Sequence, residues 1–79
     1  INLHNLNLLC NLKDLDKDIL FKVRSTGKLL NGKISIKENN KAIVALNEFE
    51  DGISPGQACV FYNKDDLGYK VLGGGWIKN

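Results

Sequence analysis

Apolar and polar residues alternate with a period of two along most of the chain, and short polar or glycine-bearing breaks interrupt the alternation. That is how a small all-β barrel or sandwich reads in sequence. Asn2 to Cys10 holds Leu3, Leu6, Leu8 and Leu9 and predicts a first strand of uncertain phase. The polar, acidic stretch from Asn11 to Asp18 reads as a connection with one helical turn, because Leu12, Leu15 and Ile19 stand at helical spacing. From Ile19 to Ser25 the alternation is clean, with Ile19, Phe21 and Val23 inward and Leu20, Lys22 and Arg24 outward. One face of this strand is core and the other carries cations.

Gly27 and Asn31-Gly32 read as punctuation of the next connection, followed by a strand from Lys33 to Lys37 with Ile34 and Ile36 inward. Glu38 to Lys41 is a polar turn, and Ala42 to Leu46 the returning strand of a hairpin. Ser54-Pro55-Gly56-Gln57 predicts a type II turn, since proline pre-sets its first central dihedral and glycine supplies the positive second one. Ala58 to Tyr62 follows as a strand, Asn63 to Gly68 as a turn, then Tyr69 to Leu72, a kink at Gly73-Gly74-Gly75 and a short strand from Trp76 to Lys78. The expected fold is a closed or nearly closed barrel of six to seven mainly antiparallel strands, resembling translation-factor-type barrels.

Composition narrows the function classes. The 79 residues are one domain's worth, and a chain of this length buries only roughly 60–65% of its unfolded surface. A thin core argues against an enzyme with a large enclosed pocket. No apolar run approaches the roughly 20 residues of a membrane span and no signal-peptide pattern opens the chain, so a water-soluble, cytoplasmic segment is the default expectation. The formal charge of +2 permits an anionic partner without demanding one. Cys10 and Cys59 are too few for a disulfide framework and read as reduced, mostly buried thiols, while His4 reads as a surface or half-buried strand residue. With that single histidine a four-ligand zinc site is set aside.

Three stretches imitate chemical motifs and fail. Gly27 to Lys33 has phosphate-loop spacing up to its lysine, but Ile34 replaces the magnesium-binding hydroxyl and a strand pattern follows where a helix is needed. Asp14, Asp16 and Asp18 begin like a calcium loop, yet Ile19 occupies the position that needs glycine and Ser25 the one that needs glutamate. The triple glycine is followed by only four residues, too few for the helix of a dinucleotide site, and reads as a bulge at a barrel corner.

Ile53-Ser54-Pro55-Gly56-Gln57-Ala58-Cys59-Val60-Phe61-Tyr62 resembles the block V-T-P-G-Q-x-x-V-F-Y, and Val71 to Ile77 resembles x-L-G-G-G-x-I. Both blocks belong to the C-terminus of the bacterial tRNA-specific 2-thiouridylases. Phe21-Lys22-Val23-Arg24 is similar to that family's x-K-I-R-Y-R strand, and Asn7-Leu8-Leu9 to its N-W-L, so the resemblance runs in order along nearly the whole chain. It implies a C-terminal β-barrel fragment of a larger enzyme that also has an ATP-pyrophosphatase domain and a central domain. In such a parent, ATP with magnesium adenylates the C2 oxygen of the wobble uridine, and a cysteine persulfide, fed by a sulfur-relay protein, supplies the sulfur. The implied role of the barrel is to grip tRNA and help cover the active site. Cys10 and Cys59 do not match the catalytic cysteines, so the fragment is expected to carry no catalytic, cofactor or metal residues.

The resemblance places RNA contacts at Lys22, Arg24, Ser25 and Gln57. Arg24 can fork onto phosphate beside Lys22, and the Gln57 amide can both donate and accept. Ser25 replaces the family's tyrosine and Thr26 its frequent second arginine, which removes stacking and one charge. The residues alone also allow Arg24 to be a solvated strand cation and Gln57 a turn residue bonded to its own loop. An alternative from another class is a translation-factor-like barrel that mainly docks against protein or stabilises its parent. With a charge of only +2, RNA binding is expected to depend on these few residues rather than on bulk attraction.

Overall fold

The computed structural model describes residues 1–23, 28–48 and 53–78. Among the described residues six strands form: β1 (Asn2–Leu8), β2 (Ile19–Val23), β3 (Leu29–Lys37), β4 (Lys41–Leu46), β5 (Ala58–Asp65) and β6 (Gly68–Lys78). They close into an antiparallel barrel in the order β1-β4-β3-β2-β5-β6. Closure leaves no edge strand with unpaired backbone groups. The Ile1 amine donates to the Val44 carbonyl at 2.9 Å, and the Val44 N–H donates to the Ile1 carbonyl at 2.8 Å, so pairing of β1 with β4 continues to the first residue.

The period-two pattern sets the interior. Ile19, Phe21 and Val23 of β2 are buried, as are Ala42 and Val44 of β4 and Cys59 and Phe61 of β5, while their neighbours in sequence face out. Phe21 and Phe61 oppose each other in register with ring centroids 6.1 Å apart and planes tilted by 54°, a favourable arrangement for two aromatic quadrupoles. Leu15, from a short 3-10 turn at Leu12–Leu15, joins this core. The expected helical turn is there, but Leu12 points away and is exposed.

Three boundaries differ from the sequence reading. The first strand stops at Leu8, which leaves Cys10 in the following loop. The Asn31-Gly32 pair is not a turn: it lies inside β3, where Gly32 is buried opposite Leu46. A Cβ there would stand 2.6 Å from the Ala45 carbonyl oxygen, so glycine serves close strand approach and not chain reversal. Asn63 to Asp65 continue β5, and reversal is confined to Asp66-Leu67, where the Leu67 N–H donates to Asp65 Oδ1 at 2.8 Å.

The glycine run lies within one long strand, β6, beside two bulges. The β5–β6 register slips between Phe61 and Tyr62, which puts an extra residue on β6 next to Gly73. The β1–β6 register slips between His4 and Asn7, where Asn5 takes a left-handed φ of 52° and Leu6 donates its N–H to Asn40 at 3.1 Å. Bulges add local twist and bend, which a small barrel needs in order to close. Between them, a Cβ on Gly73 would lie 2.5 Å from the Asn7 carbonyl oxygen and 2.9 Å from Phe61 Cε2. Among the described residues no helix is long and apolar enough to cross a membrane.

Gly73→Ala is therefore expected to cost about 2–3 kcal/mol, near the top of the range for overpacking. Gly56→Ala, whose Cβ meets nothing within 4 Å but whose φ is +88°, should cost only about 1 kcal/mol of backbone strain. Urea unfolding measures both, and equal losses would mean that Asn7 and Phe61 yield to the added methyl.

Candidate nucleic-acid interface

Lys22 is exposed on the outer face of β2, as its place in the alternation requires. It pairs with Val60 of β5, three residues beyond Gln57, so the lysine and the Pro-Gly-Gln turn that leads into β5 lie about 10 Å apart along the chain direction. Arg24 and Ser25, with Thr26 and Gly27, lie outside the described residues. The structure thus brings Lys22 and the Gln57 turn to one end of the barrel.

The turn is held from two sides. Gly56 has the positive φ of 88° that a type II turn requires, and its N–H donates to the Ile77 carbonyl at 2.9 Å. The Ile77 N–H in return donates to the Gln57 carbonyl at 2.8 Å, so the turn is stitched to the last residues of β6. Gln57 is half-buried, and its Oε1 accepts a long hydrogen bond of 3.4 Å from the Ser54 N–H. That contact belongs to the loop-bonding alternative for Gln57, yet it engages only the acceptor end of the amide and leaves the two N–H donors of Nε2 for a partner.

Sequence reasoning missed how the charges are distributed. Among the described residues, every carboxylate apart from Asp65 at the end of β5 falls outside the strands. The strands carry lysines instead: Lys22 on β2, Lys33 and Lys37 on β3, Lys41 on β4, Lys64 on β5, and Lys70 and Lys78 on β6. The total of +2 therefore hides a basic wall and acidic loops. The signal was present in sequence as lysine at alternate positions of predicted strands, but only the strand boundaries make it visible.

The outer face also has an apolar part. Trp76, Val71 and Tyr69 are exposed on β6, beside half-buried Val60 and Tyr62 of β5. Tyr62 and Tyr69 meet edge to face at 6.4 Å, and Lys64 Nζ lies 5.8 Å from the Tyr69 ring centroid, within cation–π range. His4 is half-buried on β1 and opposes Trp76. Among the described residues, no three His, Cys, Asp or Glu side chains gather as a metal site would need.

The chain belongs to the aminomethyltransferase β-barrel domain family, whose model it matches over residues 1–77. Its relatives include the tRNA-specific 2-thiouridylase MnmA of Orientia tsutsugamushi, 47% identical over 95% of this chain and 20% of that protein. The MnmA of Maricaulis maris is 42% identical over 98% of this chain and 19% of its own length, and that of Rhodospirillum centenum 40% over 78% and 15%. The chain thus spans about a fifth of the length of the curated relatives it matches most fully. The resemblance to the 2-thiouridylase barrel read from the sequence blocks holds across the chain. No solved structure matches.

Both cysteines are free thiols in apolar surroundings. Burial pushes the Cys59 thiol up to about 11, with a small opposing effect from the N-terminal amine. Cys10 is also raised, first by burial and then by the negative charge of Asp14, against a lowering by Lys70. The thiolate is the nucleophile, so neither environment activates sulfur at neutral pH. In the folded protein at pH 8, iodoacetamide is expected to label half-buried Cys10 slowly and to leave Cys59 unmodified until denaturant is added. Mass spectrometry of the labelled peptides checks this, and early labelling of Cys59 would contradict its enclosure.

Proposed function

We propose that this chain is the tRNA-gripping barrel of a tRNA 2-thiouridylase, and that the ATP-dependent adenylation and persulfide transfer belong to other domains of a longer cytoplasmic protein. The observation that carries the reading is the junction of an exposed strand lysine, Lys22, with a pinned Pro-Gly-Gln turn on a lysine-bearing wall, within a chain closely similar to 2-thiouridylases. Lys22 and Arg24 supply charge to backbone phosphates, Ser25 a hydroxyl to phosphate or ribose, and Gln57 amide donors to a base edge or the backbone. Such contacts position a substrate. In this reading ATP with magnesium and the sulfur-relay protein act on the rest of the parent, and the barrel contributes no catalytic group.

A second reading, docking against protein, draws on the exposed Trp76, Val71 and Tyr69 of β6. The tRNA reading turns on Lys22, Arg24 and Gln57 and the docking reading on Tyr69, Val71 and Trp76, so mutation separates them.

In the full-length protein, Arg24→Ala and Gln57→Ala are each expected to lower kcat/KM for tRNA thiolation about tenfold, mainly through KM, as for loss of one hydrogen bond involving a charged or buried partner. Unchanged kinetics in both variants would remove these residues from the interface. A loss of thermal stability with unaltered tRNA affinity would favour a barrel that only stabilises its parent.

A further inference from the structure

Barrel closure assembles a second basic feature from residues far apart in sequence. Lys37, Lys41 and Lys78 line one concavity of about 230 Å³ with Asn2, and Ile43 forms part of its apolar wall. Sites that enclose a whole small molecule usually run to roughly 300–1,000 Å³, so this one suits a single group on a larger partner. Lys37 and Lys41 are direct partners across β3 and β4, a like-charge opposition that works against pairing. Lys78 reaches the same place because Asn2 pairs with both Lys78 and Ile43. Among the described residues, none of the three lysines makes an ion pair, although Glu38 follows Lys37 in the hairpin loop. Strands β1, β3, β4 and β6 contain no carboxylate at all.

This concavity is continuous with the interface already described. Lys78 directly follows Ile77, whose backbone exchanges two hydrogen bonds with the Gly56-Gln57 turn. The basic surface therefore runs from that turn across β6 and β1 to the β3–β4 hairpin. Trp76, about half exposed, lies two residues from Lys78 on the same outer side of β6. Cations beside an aromatic ring are what a nucleic-acid strand uses, phosphate on the first and base or ribose on the second.

We propose that the concavity lined by Lys37, Lys41 and Lys78 holds a backbone phosphate of the bound RNA, so that the footprint extends from the Pro-Gly-Gln turn around the β6–β1–β4 wall. The inference rests on the tRNA reading above and extends it to residues that the family blocks do not mark. Lysine suits this role as a mobile point charge that needs no fixed fork geometry.

Trp76 is the only tryptophan in the chain, so its fluorescence reports binding directly. Bulk bacterial tRNA titrated into the protein at several salt concentrations gives an affinity and a salt slope. The Lys41→Gln/Lys78→Gln variant is expected to lose about 0.7–0.9 from the slope, the share of the one phosphate contact, and at least tenfold in affinity at 0.15 M salt. Lys13→Gln/Lys17→Gln, with the same change in net charge, should bind like the parent, and Lys41→Arg/Lys78→Arg should retain binding. Parent-like slope in the Lys41→Gln/Lys78→Gln protein, with Arg24→Ala still weakened, would overturn this inference and leave the tRNA reading standing. Loss of binding in the arginine variant would overturn it as a charge contact. Tighter binding of poly-glutamate than of tRNA through the same lysines would replace RNA with an acidic protein. Absence of tRNA binding by the parent protein at low salt would overturn both readings together.

Discussion

The close contact between Phe61, the backbone of Asn7 and the missing side chain of Gly73 is the constraint on which the barrel depends. Six strands around so few core residues leave a narrow interior, and β1 can reach β6 only if one residue at the seam has no Cβ. The two register slips lie on either side of this point, one on each of the adjoining strand pairs. Without that approach β1 would not pair with β6 and β4 at once. Asn2 would then no longer bridge Lys78 and Ile43, and the basic concavity would not exist. The core contact and the basic surface are thus consequences of the same closure.

Much of the fold was legible because alternation is a direct imprint of one-sided burial. The inward set of β2, the β3–β4 hairpin and the Pro-Gly turn all follow from local chemistry. The errors occurred where one residue type serves two purposes. Asn31-Gly32 looks like a hairpin turn, but Gly32 is selected by the neighbouring Ala45 carbonyl, a partner that sequence does not reveal. Asn63 to Asp65 look like a loop because they are polar, yet they pair with β6 out to Gly68 on the outer side of a barrel, where polarity costs nothing.

The candidate site was legible in a different proportion. Lys22 and Gln57 came from alternation and from family blocks, and the structure sets them on β2 and in the turn before the adjoining β5, at one barrel end. The lysine wall could not be seen from net charge, because the loops cancel it. Lys37, Lys41 and Lys78 could not be grouped by spacing, because their proximity is made by the pairing of β1 with both β4 and β6. Separation in sequence therefore hid the feature while separation of charge concealed its sign.

The connections after β1, β3 and β5 emerge at one end of an antiparallel barrel, and with them Asp14, Asp16, Asp18, Glu38, Asp65 and Asp66. The field of such a molecule exerts a torque as well as a pull. A charged body near such a molecule meets a field that changes with the direction from which it comes. That dependence on direction reaches about one Debye length, about 8 Å at physiological salt.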